Sequence, residues 1–139
     1  MCITYLLYRA LNFEKTEISY GRHKFSAYLA DSPLKCSVGL MHRKGLGKNE
    51  AMLFALVRDS RIGIWMLNMK FSIDIIWLDG DGIVIDKKEE VLPCESFLKC
   101  RSYYPASPAR YVVETTAGVC MKLGIRKGGK FTIGEVTPS

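Results

Sequence analysis

The segment from Gly63 to Gly82 constrains the fold of this chain more than any other part of it. It reads G-I-W-M-L-N-M-K-F-S-I-D-I-I-W-L-D-G-D-G, a dense apolar stretch that ends in turn-forming residues. The pattern predicts two strands, at about Ile62–Met66 and Ile73–Leu78. A hairpin turn is predicted at Asp79–Gly82, because Gly and Asp tolerate the positive φ angles that such turns require. The segment therefore indicates a β-rich core.

Short strand-like runs recur along the rest of the chain. They are predicted at Ile3–Tyr8, Phe13–Ser19, His23–Ala30, Met52–Val57, Ile83–Asp86, Tyr111–Thr115 and Phe131–Ile133. One helix is expected from Pro33 to about His42, with Ser32 or Asp31 as its cap, and a second at Thr116–Leu123, which Gly124 ends. We predict a mainly β (α+β) fold: an antiparallel, barrel-like β core of about eight short strands, with two short helices at its edge.

Length and composition predict a single domain over residues 1–139. Hydrophobic residues make up 48% of the chain and charged residues 24%, as in ordinary globular proteins. No apolar run reaches the roughly 18 residues of a membrane-spanning helix, and Ile3–Tyr8 is too short for the core of a signal peptide. We therefore expect a soluble, cytoplasmic protein, a monomer or weak oligomer, with no membrane span and no cofactor.

The net charge of +6 raises the alternative of nucleic-acid binding. Basic residues gather in two places. They are Arg43, Lys44 and Lys48 in a mid-chain loop, and Lys122, Arg126, Lys127 and Lys130 near the end. Neither cluster is interleaved with aromatic residues that would stack on bases, so a solvated basic face is the favoured interpretation.

The five cysteines do not form the framework of a disulfide-rich secreted domain, because their number is odd and they are scattered. Only Cys94 and Cys100 are close in sequence, within the long Pro93–Pro108 loop. Their spacing exceeds that of zinc knuckles and no histidine lies nearby, so no metal site is expected. We predict a disulfide, a redox pair or free loop thiols at these positions.

A series of short motifs occurs in order along the chain: Ala30-Asp31, Gly39-Leu40-Met41, Met52-Leu53-Phe54, Trp65-Met66-x-Asn68, Asp74-Ile75-Ile76, Asp79-x-Asp81-Gly82, Ala109-Arg110-Tyr111-Val112-Val113-Glu114, Ala117-Gly118, Gly124-Ile125 and Gly128. Together these motifs resemble the family known as domain of unknown function 192, the uncharacterised UPF0127-type proteins. The resemblance covers about residues 25–133. The chain departs from the family pattern at two places. Ala51 stands where the family usually has a glycine before Met-Leu-Phe, and Ser72-Ile73 stands where the family tends to have Pro-Leu. The resemblance implies a β-rich fold and brings no established activity.

The polar residues inside the apolar motif are the candidate site. Asn68 and Asp74 stand where a core strand would carry Val or Leu, and buried polar groups need partners. With Trp65 beside them and Glu114 and the Pro93–Pro108 loop at the rim, they could bind a small polar ligand. The structural alternative is that Asn68 forms hydrogen bonds with the backbone groups of a loop, and that Asp74 pairs with a basic residue such as Arg110.

The sequence thus favours a small-ligand or partner-binding module. A glycoside-type hydrolase is the enzymatic alternative, with Asp74 and Glu114 dividing the acid and base roles across a cleft. Nucleic-acid binding through the basic clusters is the third possibility. The identity of the ligand does not follow from the residues.

Overall fold

The computed structural model describes residues 3–94 and 96–135. The helices in this part of the chain are α1 (Ile3–Ala10), α2 (Pro33–Val38) and α3 (Val119–Leu123), with a single 3₁₀ turn at Phe97–Lys99. The strands are β1 (Lys15–Tyr20), β2 (His23–Ala30), β3 (Glu50–Ser60), β4 (Ile64–Trp65), β5 (Ile73–Leu78), β6 (Val84–Val91), β7 (Ser102–Tyr103), β8 (Ala109–Thr116) and β9 (Phe131–Ile133). No helix of the described residues is long and apolar enough to cross a membrane.

Seven of the strands form one curled sheet in the order β6-β5-β8-β3-β2-β1-β9, and β4 and β7 pair separately. Every described strand pairing is antiparallel except that of β2 with β3. A parallel neighbour needs a crossover, and residues 31–49, which include α2, supply it. The predicted mainly β, barrel-like core is confirmed.

The curl brings the two ends of the sheet together. Ile83, beside the β5–β6 turn, forms a bridge with Lys130, just before β9. The amide of Phe131 donates to the carbonyl of Gly82 at 2.9 Å. A Cβ on Gly82 would lie 2.3 Å from the Phe131 carbonyl oxygen, and its φ is +84°. Only glycine fits this close approach, so the family-like Asp79–Gly82 turn also fastens the curled sheet.

The sheet carries a separate apolar cluster on each face because side chains alternate along a strand. Ile76 and Leu78 of β5 belong to the first cluster, with Val113 of β8. Ile73, Ile75 and Trp77 belong to the second, with Val112. The crossover and the β4–β7 pair cover the second face, and the candidate site lies there.

Two element predictions were wrong. Ile3–Tyr8 is helical, not a strand: residues 4, 5, 7 and 8 are half-buried and residues 3, 6, 9 and 10 exposed, which is a helical period. The rings of Tyr5 and Tyr8 pack on His42 at 5.6 and 6.1 Å. The helix predicted from Pro33 is α2, and it ends at Val38 rather than near His42 because Gly39 follows it with a φ of +48°.

Candidate functional site

A cavity of about 500 Å³ opens between the crossover and the second face of the sheet. Its walls are mostly apolar, and the buried apolar residues among them are Val38, Leu40, Met41, Phe54, Ile64 and Ile73. The polar groups that reach it include the side chains of Asp31, Ser32, Cys36, Ser37 and Glu114. An apolar cavity of this size with a few polar groups has the make-up of a small-molecule pocket.

The outer wall of the cavity is built by α2 and the turn after it. Ser32 caps the helix by accepting a hydrogen bond from the Lys35 amide at 3.2 Å, and Pro33 occupies the first turn. Gly39 then reverses the chain against Phe54, whose ring would lie 3.1 Å from a Cβ at this position. Because Gly39 lets the backbone approach the ring, Leu40 and Met41 reach the cavity from the same turn.

Glu114 lies at the floor of the cavity on the central strand β8. Its cross-strand neighbours are Met52 on β3 and Ile75 on β5, both fully buried. Its own side chain is only 3% exposed. Within the described part of the chain, no group forms a hydrogen bond or ion pair with its carboxyl. Burial raises the pKa of Glu114 from 4.5 to about 8, since the charged form loses its hydration without gaining a partner.

The wall opposite Glu114 adds a second carboxyl and a thiol. Asp31, at the end of β2, pairs with Lys35 at 3.7 Å. The Cys36 thiol donates to the carbonyl of Ala30 at 3.5 Å. The pKa of Cys36 is raised to about 11 by burial first and then by the charges of Asp31 and Glu114. Asp31 and Glu114, when Glu114 is ionised, therefore both act on the wall of the cavity that carries Cys36.

Trp65 stands at the rim of the cavity, as its exposure of 38% shows. Its ring meets the ring of Phe97 edge-on, with centroids 6.1 Å apart. The pairing of β4 with β7 places Trp65 opposite Ser102. Phe97 and Ser102 therefore lie beside Trp65 at the rim.

Asn68 does not line the cavity. Its φ of +60° is left-handed, a conformation that asparagine adopts more readily than most residues. Its side-chain amide donates to Thr4 Oγ1 at 3.3 Å and to Met41 Sδ at 3.8 Å. Its backbone carbonyl accepts a hydrogen bond from the His42 backbone amide. Asn68 thus fastens α1 and the Met41 turn together behind the cavity wall.

Asp74 also lies outside the cavity, on the other face of the sheet. It is fully buried, and its carboxylate accepts hydrogen bonds from the amides of Glu90 at 2.8 Å, Gly118 at 3.2 Å and Cys120 at 2.8 Å. It joins β5 to β6 and to the start of α3. Asp74 does not pair with Arg110, which instead binds Asp59 on the surface at 3.0 Å.

The sheet register separates the two carboxyls of the hydrolase alternative. Asp74 is opposite Thr115, and Glu114 is opposite Ile75. Because cross-strand partners share a face and sequence neighbours do not, Asp74 and Glu114 point to opposite faces. They cannot flank one substrate, so this pair does not support glycoside hydrolysis.

Cys94 and Cys100 form a disulfide, with their Cα atoms 5.1 Å apart. It closes the loop that carries Phe97. Among the other cysteines, Cys36 and Cys120 are free thiols, and Cys2 lies outside the described residues.

Asp74, Glu89 and Cys120 bring three possible ligand atoms within 4.8 Å of one another. The Asp74 oxygens are already engaged by three amides, and Glu89 pairs with Lys87. Burial, followed by the charge of Asp74, raises the pKa of the Cys120 thiol and disfavours the thiolate that a metal would need. These three residues therefore form a structural contact between β5, β6 and α3.

The two basic clusters have different surroundings. Arg43 stacks over the ring of Tyr28 at 4.2 Å and is near Phe13 at 5.5 Å, so it packs under α1. Lys122, Arg126, Lys127 and Lys130 are exposed, and Lys127 pairs with Asp86 at 3.7 Å. All four residues of the second cluster are thus exposed, whereas in the first cluster Lys44 and Lys48 are exposed and Arg43 is half-buried.

Sequence reasoning missed the crossover wall of the cavity. The sequence predicts Asp31 as a helix cap and as part of the Ala30-Asp31 motif, and it shows Cys36 as one of five scattered cysteines, so neither residue is predicted to line a site. A strand that ends in Asp31 and runs directly into a proline-initiated helix was the available signal, because it places polar groups at a strand end. The parallel return of β3, which makes the helix cover the sheet, has no signature in these residues.

The chain matches the model of the family DUF192, described as an uncharacterised ACR, over residues 15–133. It is similar to the UPF0127 protein of Thermococcus kodakarensis, with 33% identity over 85% of this chain and 68% of that protein. The UPF0127 protein of Pyrococcus furiosus shares 32% identity over 73% of this chain and 80% of its own. The UPF0127 protein of Thermococcus gammatolerans shares 34% identity over 72% of this chain and 61% of its own length, so the chain spans less than two thirds of that protein.

Two solved structures have the same fold. One is a Sinorhizobium meliloti protein provisionally described as a transcription regulator, with a TM-score of 0.81 and 25% identity over 88% of this chain and 96% of that one. The other is a protein of unknown function from Novosphingobium aromaticivorans, with a TM-score of 0.76 and 27% identity over 88% and 86%. The curled sheet is thus shared with these proteins.

Proposed function

Because the chain belongs to the uncharacterised DUF192 family, we propose a function from its geometry: it binds a small, largely apolar molecule in the cavity under the crossover. The observation that supports this proposal is a cavity of about 500 Å³ that has apolar walls and one buried carboxyl, Glu114, at its floor. Folding gains nothing from leaving such walls uncovered, whereas a ligand that fills them removes apolar surface from water.

The location of the family-like segments supports this proposal. Gly39-Leu40-Met41, Phe54, Trp65 and Glu114 come from four separate segments of the chain, and all of them line this cavity. The predicted binding set is revised accordingly. Trp65 and Glu114 remain in it, whereas Asn68 and Asp74 hold the surrounding structure.

Binding of the neutral, environment-sensitive fluorophore prodan tests the proposal. A cavity-filling variant, Leu56→Trp, adds a large ring on the β3 wall. Leu98→Trp is the matched control, since Leu98 is 92% exposed and lies outside the lining. We expect prodan to bind the parent and Leu98→Trp alike, and Leu56→Trp at least about tenfold more weakly, because the added ring occupies volume that prodan would fill and so excludes its apolar contacts with the cavity walls. Equal binding by all three proteins, or binding by none, would refute the proposal.

Nucleic-acid binding is a second candidate, and two observations favour it. Lys122, Arg126, Lys127 and Lys130 form an exposed basic region, and a protein of the same fold carries the provisional description of a transcription regulator. Phosphate contacts make affinity fall steeply with salt. Retention on a DNA column that falls steeply between low and physiological salt, and that Lys122→Gln with Lys130→Gln weakens, is the expected result. Retention that is indifferent to salt contradicts this candidate.

A further inference from the structure

The Glu114 carboxyl is buried and has no polar partner among the described residues. It is 3% exposed, it lies between fully buried Met52 and Ile75, and no described group hydrogen-bonds to it. A carboxyl in such a place destabilises the fold relative to an apolar side chain unless something pairs with it. Because it reaches the cavity, the missing partner can come from a ligand.

The charges around the cavity determine which ligand group fits. None of the described lining residues is Lys, Arg or His. Asp31 already has Lys35 as its partner at 3.7 Å, so Glu114 is the carboxyl without a counter-charge. The pKa of Cys36, on the wall, is raised by burial first and then by Asp31 and Glu114, so an ionised Glu114 has a field that reaches this wall. Such a field repels anions and attracts cations.

We propose that the cavity recognises an apolar amine, whose hydrocarbon body lies against Phe54, Ile64 and Ile73 and whose ammonium group pairs with the Glu114 carboxylate. This inference rests on the proposed small-molecule binding and specifies its ligand class. An amine on an apolar body matches both the walls and the floor, and a charge-assisted hydrogen bond in a dry site is among the stronger polar contacts.

Binding of the amine involves a proton. The pKa of Glu114 is about 8, so near pH 7 the carboxyl is mostly protonated, while a free alkylamine is an ammonium ion. Formation of the ion pair therefore breaks the O–H bond of Glu114: the electron pair stays on the carboxylate oxygen, the proton goes to solvent, and the amine itself is chemically unchanged. Apparent affinity should rise about tenfold per pH unit below the pKa of Glu114 and level off above it.

Other titratable groups near the cavity are few. Asp31 at the end of β2 and Cys36 on α2 face Glu114 across the cavity, with Lys35 beside Asp31. The walls from β3, β4 and β5 are apolar, as Phe54, Ile64 and Ile73 show. Cys36 has a pKa of about 11 and stays protonated through the range tested. Glu114 is therefore the group whose titration governs amine binding between pH 6 and 8.

A matched ligand series tests the inference. Hexylamine, 1-hexanol and hexanoate have the same apolar body and differ in their polar end. Displacement of prodan and calorimetry at pH 6.5, 7.5 and 8.5 compare them in the parent, in Glu114→Gln and in Glu17→Gln, an exposed-surface control. We expect the parent to bind hexylamine at least about tenfold more tightly than 1-hexanol, with hexanoate weakest. Calorimetry in buffers of different ionisation enthalpy should detect the released proton.

The variants separate the possible outcomes. Glu114→Gln keeps the shape of the side chain, so it should retain 1-hexanol and lose the preference for hexylamine and the proton release; Glu17→Gln should behave as the parent. If the parent binds 1-hexanol as tightly as hexylamine, the amine inference fails and small-molecule binding survives. If neither hexanol, hexylamine nor prodan binds, both fail together. Loss of all binding in Glu114→Gln that remains folded would also overturn the inference.

Discussion

Glu114 and Ile75 are direct cross-strand partners on β8 and β5. The pairing places the carboxyl on the same face as the apolar cluster that contains Ile73 and Trp77. Asp74, one residue before Ile75, is thereby on the other face. A shift of the register by one residue would exchange the two environments, so the pairing of β5 with β8 decides which carboxyl can meet a ligand.

Stability should fall as the pH rises because of Glu114. Its pKa is raised from 4.5 to about 8 on folding, so the folded chain keeps a proton that the unfolded chain releases between these values. The stabilising effect of that proton is complete below about pH 4.5 and is lost as the pH rises to about 8, by at most about 1.4 kcal/mol per pH unit. Glu114→Gln should therefore match the parent at pH 5 and exceed its free energy of unfolding by a few kcal/mol at pH 8.

Urea unfolding of both proteins at pH 5, 6.5 and 8 measures this difference. Glu17→Gln, on an exposed side chain, is the control and should show no such divergence with pH. A constant difference between Glu114→Gln and the parent over the whole range would show that the carboxyl does not titrate as described.

Asp74 should be a stability residue. Asp74→Ala leaves the amides of Glu90, Gly118 and Cys120 without their acceptor. We expect a loss of about 3 kcal/mol in the free energy of unfolding, since stranded buried donors are costly. Asp59→Ala, which breaks only the exposed pair with Arg110, should cost less than about 1 kcal/mol. Asp74→Ala should leave prodan affinity unchanged at temperatures where it is folded; a selective loss of binding would contradict its placement.

Gly82 should not tolerate a side chain. Gly82→Ala sets a Cβ against the Phe131 carbonyl and imposes a positive φ on alanine, at a cost of about 2 kcal/mol or more. Gly80→Ala is the matched control in the same turn, because nothing lies within 4 Å of the added Cβ. Its melting temperature should stay within a few degrees of the parent. Equal effects of the two substitutions would mean that the contact with Phe131 does not constrain the turn.

The disulfide should stabilise the fold modestly. Cys94 and Cys100 are six residues apart, and closing so short a loop restricts the unfolded chain by about 2 kcal/mol. Cys94→Ser with Cys100→Ser should lower the free energy of unfolding by that amount, while Cys36→Ser should lack this effect of chain restriction. Peptide mapping without reduction identifies the linked pair, and recovery of both peptides as free thiols from protein purified under oxidising conditions would exclude it.

The β core could be predicted because local patterns determine it. The Ile73–Leu78 strand, the Asp79–Gly82 turn and the Phe131–Ile133 strand all follow from alternating or continuous apolar residues beside turn residues. The first helix was mistaken for a strand because Ile3, Tyr5 and Tyr8 favour β structure in isolation, whereas packing on His42 decides the matter.

The site was predicted only in part because its partners are distant in sequence. Asp74 was singled out correctly as a buried polar residue that needs partners, but those partners are amides 16 to 46 residues away. Nothing local distinguishes such a carboxyl from one that faces a ligand. Glu114 was placed at the rim as one of two carboxyls, and its burial depends on neighbours contributed by two other strands.

The parallel pairing of β2 with β3 has a consequence for how this pocket can change. The two strands are adjacent in the sheet, so residues 31–49 between them contribute the outer wall without interrupting the seven-stranded order. Replacing or lengthening that wall alters the shape of the cavity and leaves the strand pairings and the Glu114 floor in place. The fold thus separates the strand that carries Glu114 from the segment that covers it, so residues 31–49 can change in sequence or length while the order of the sheet stays the same.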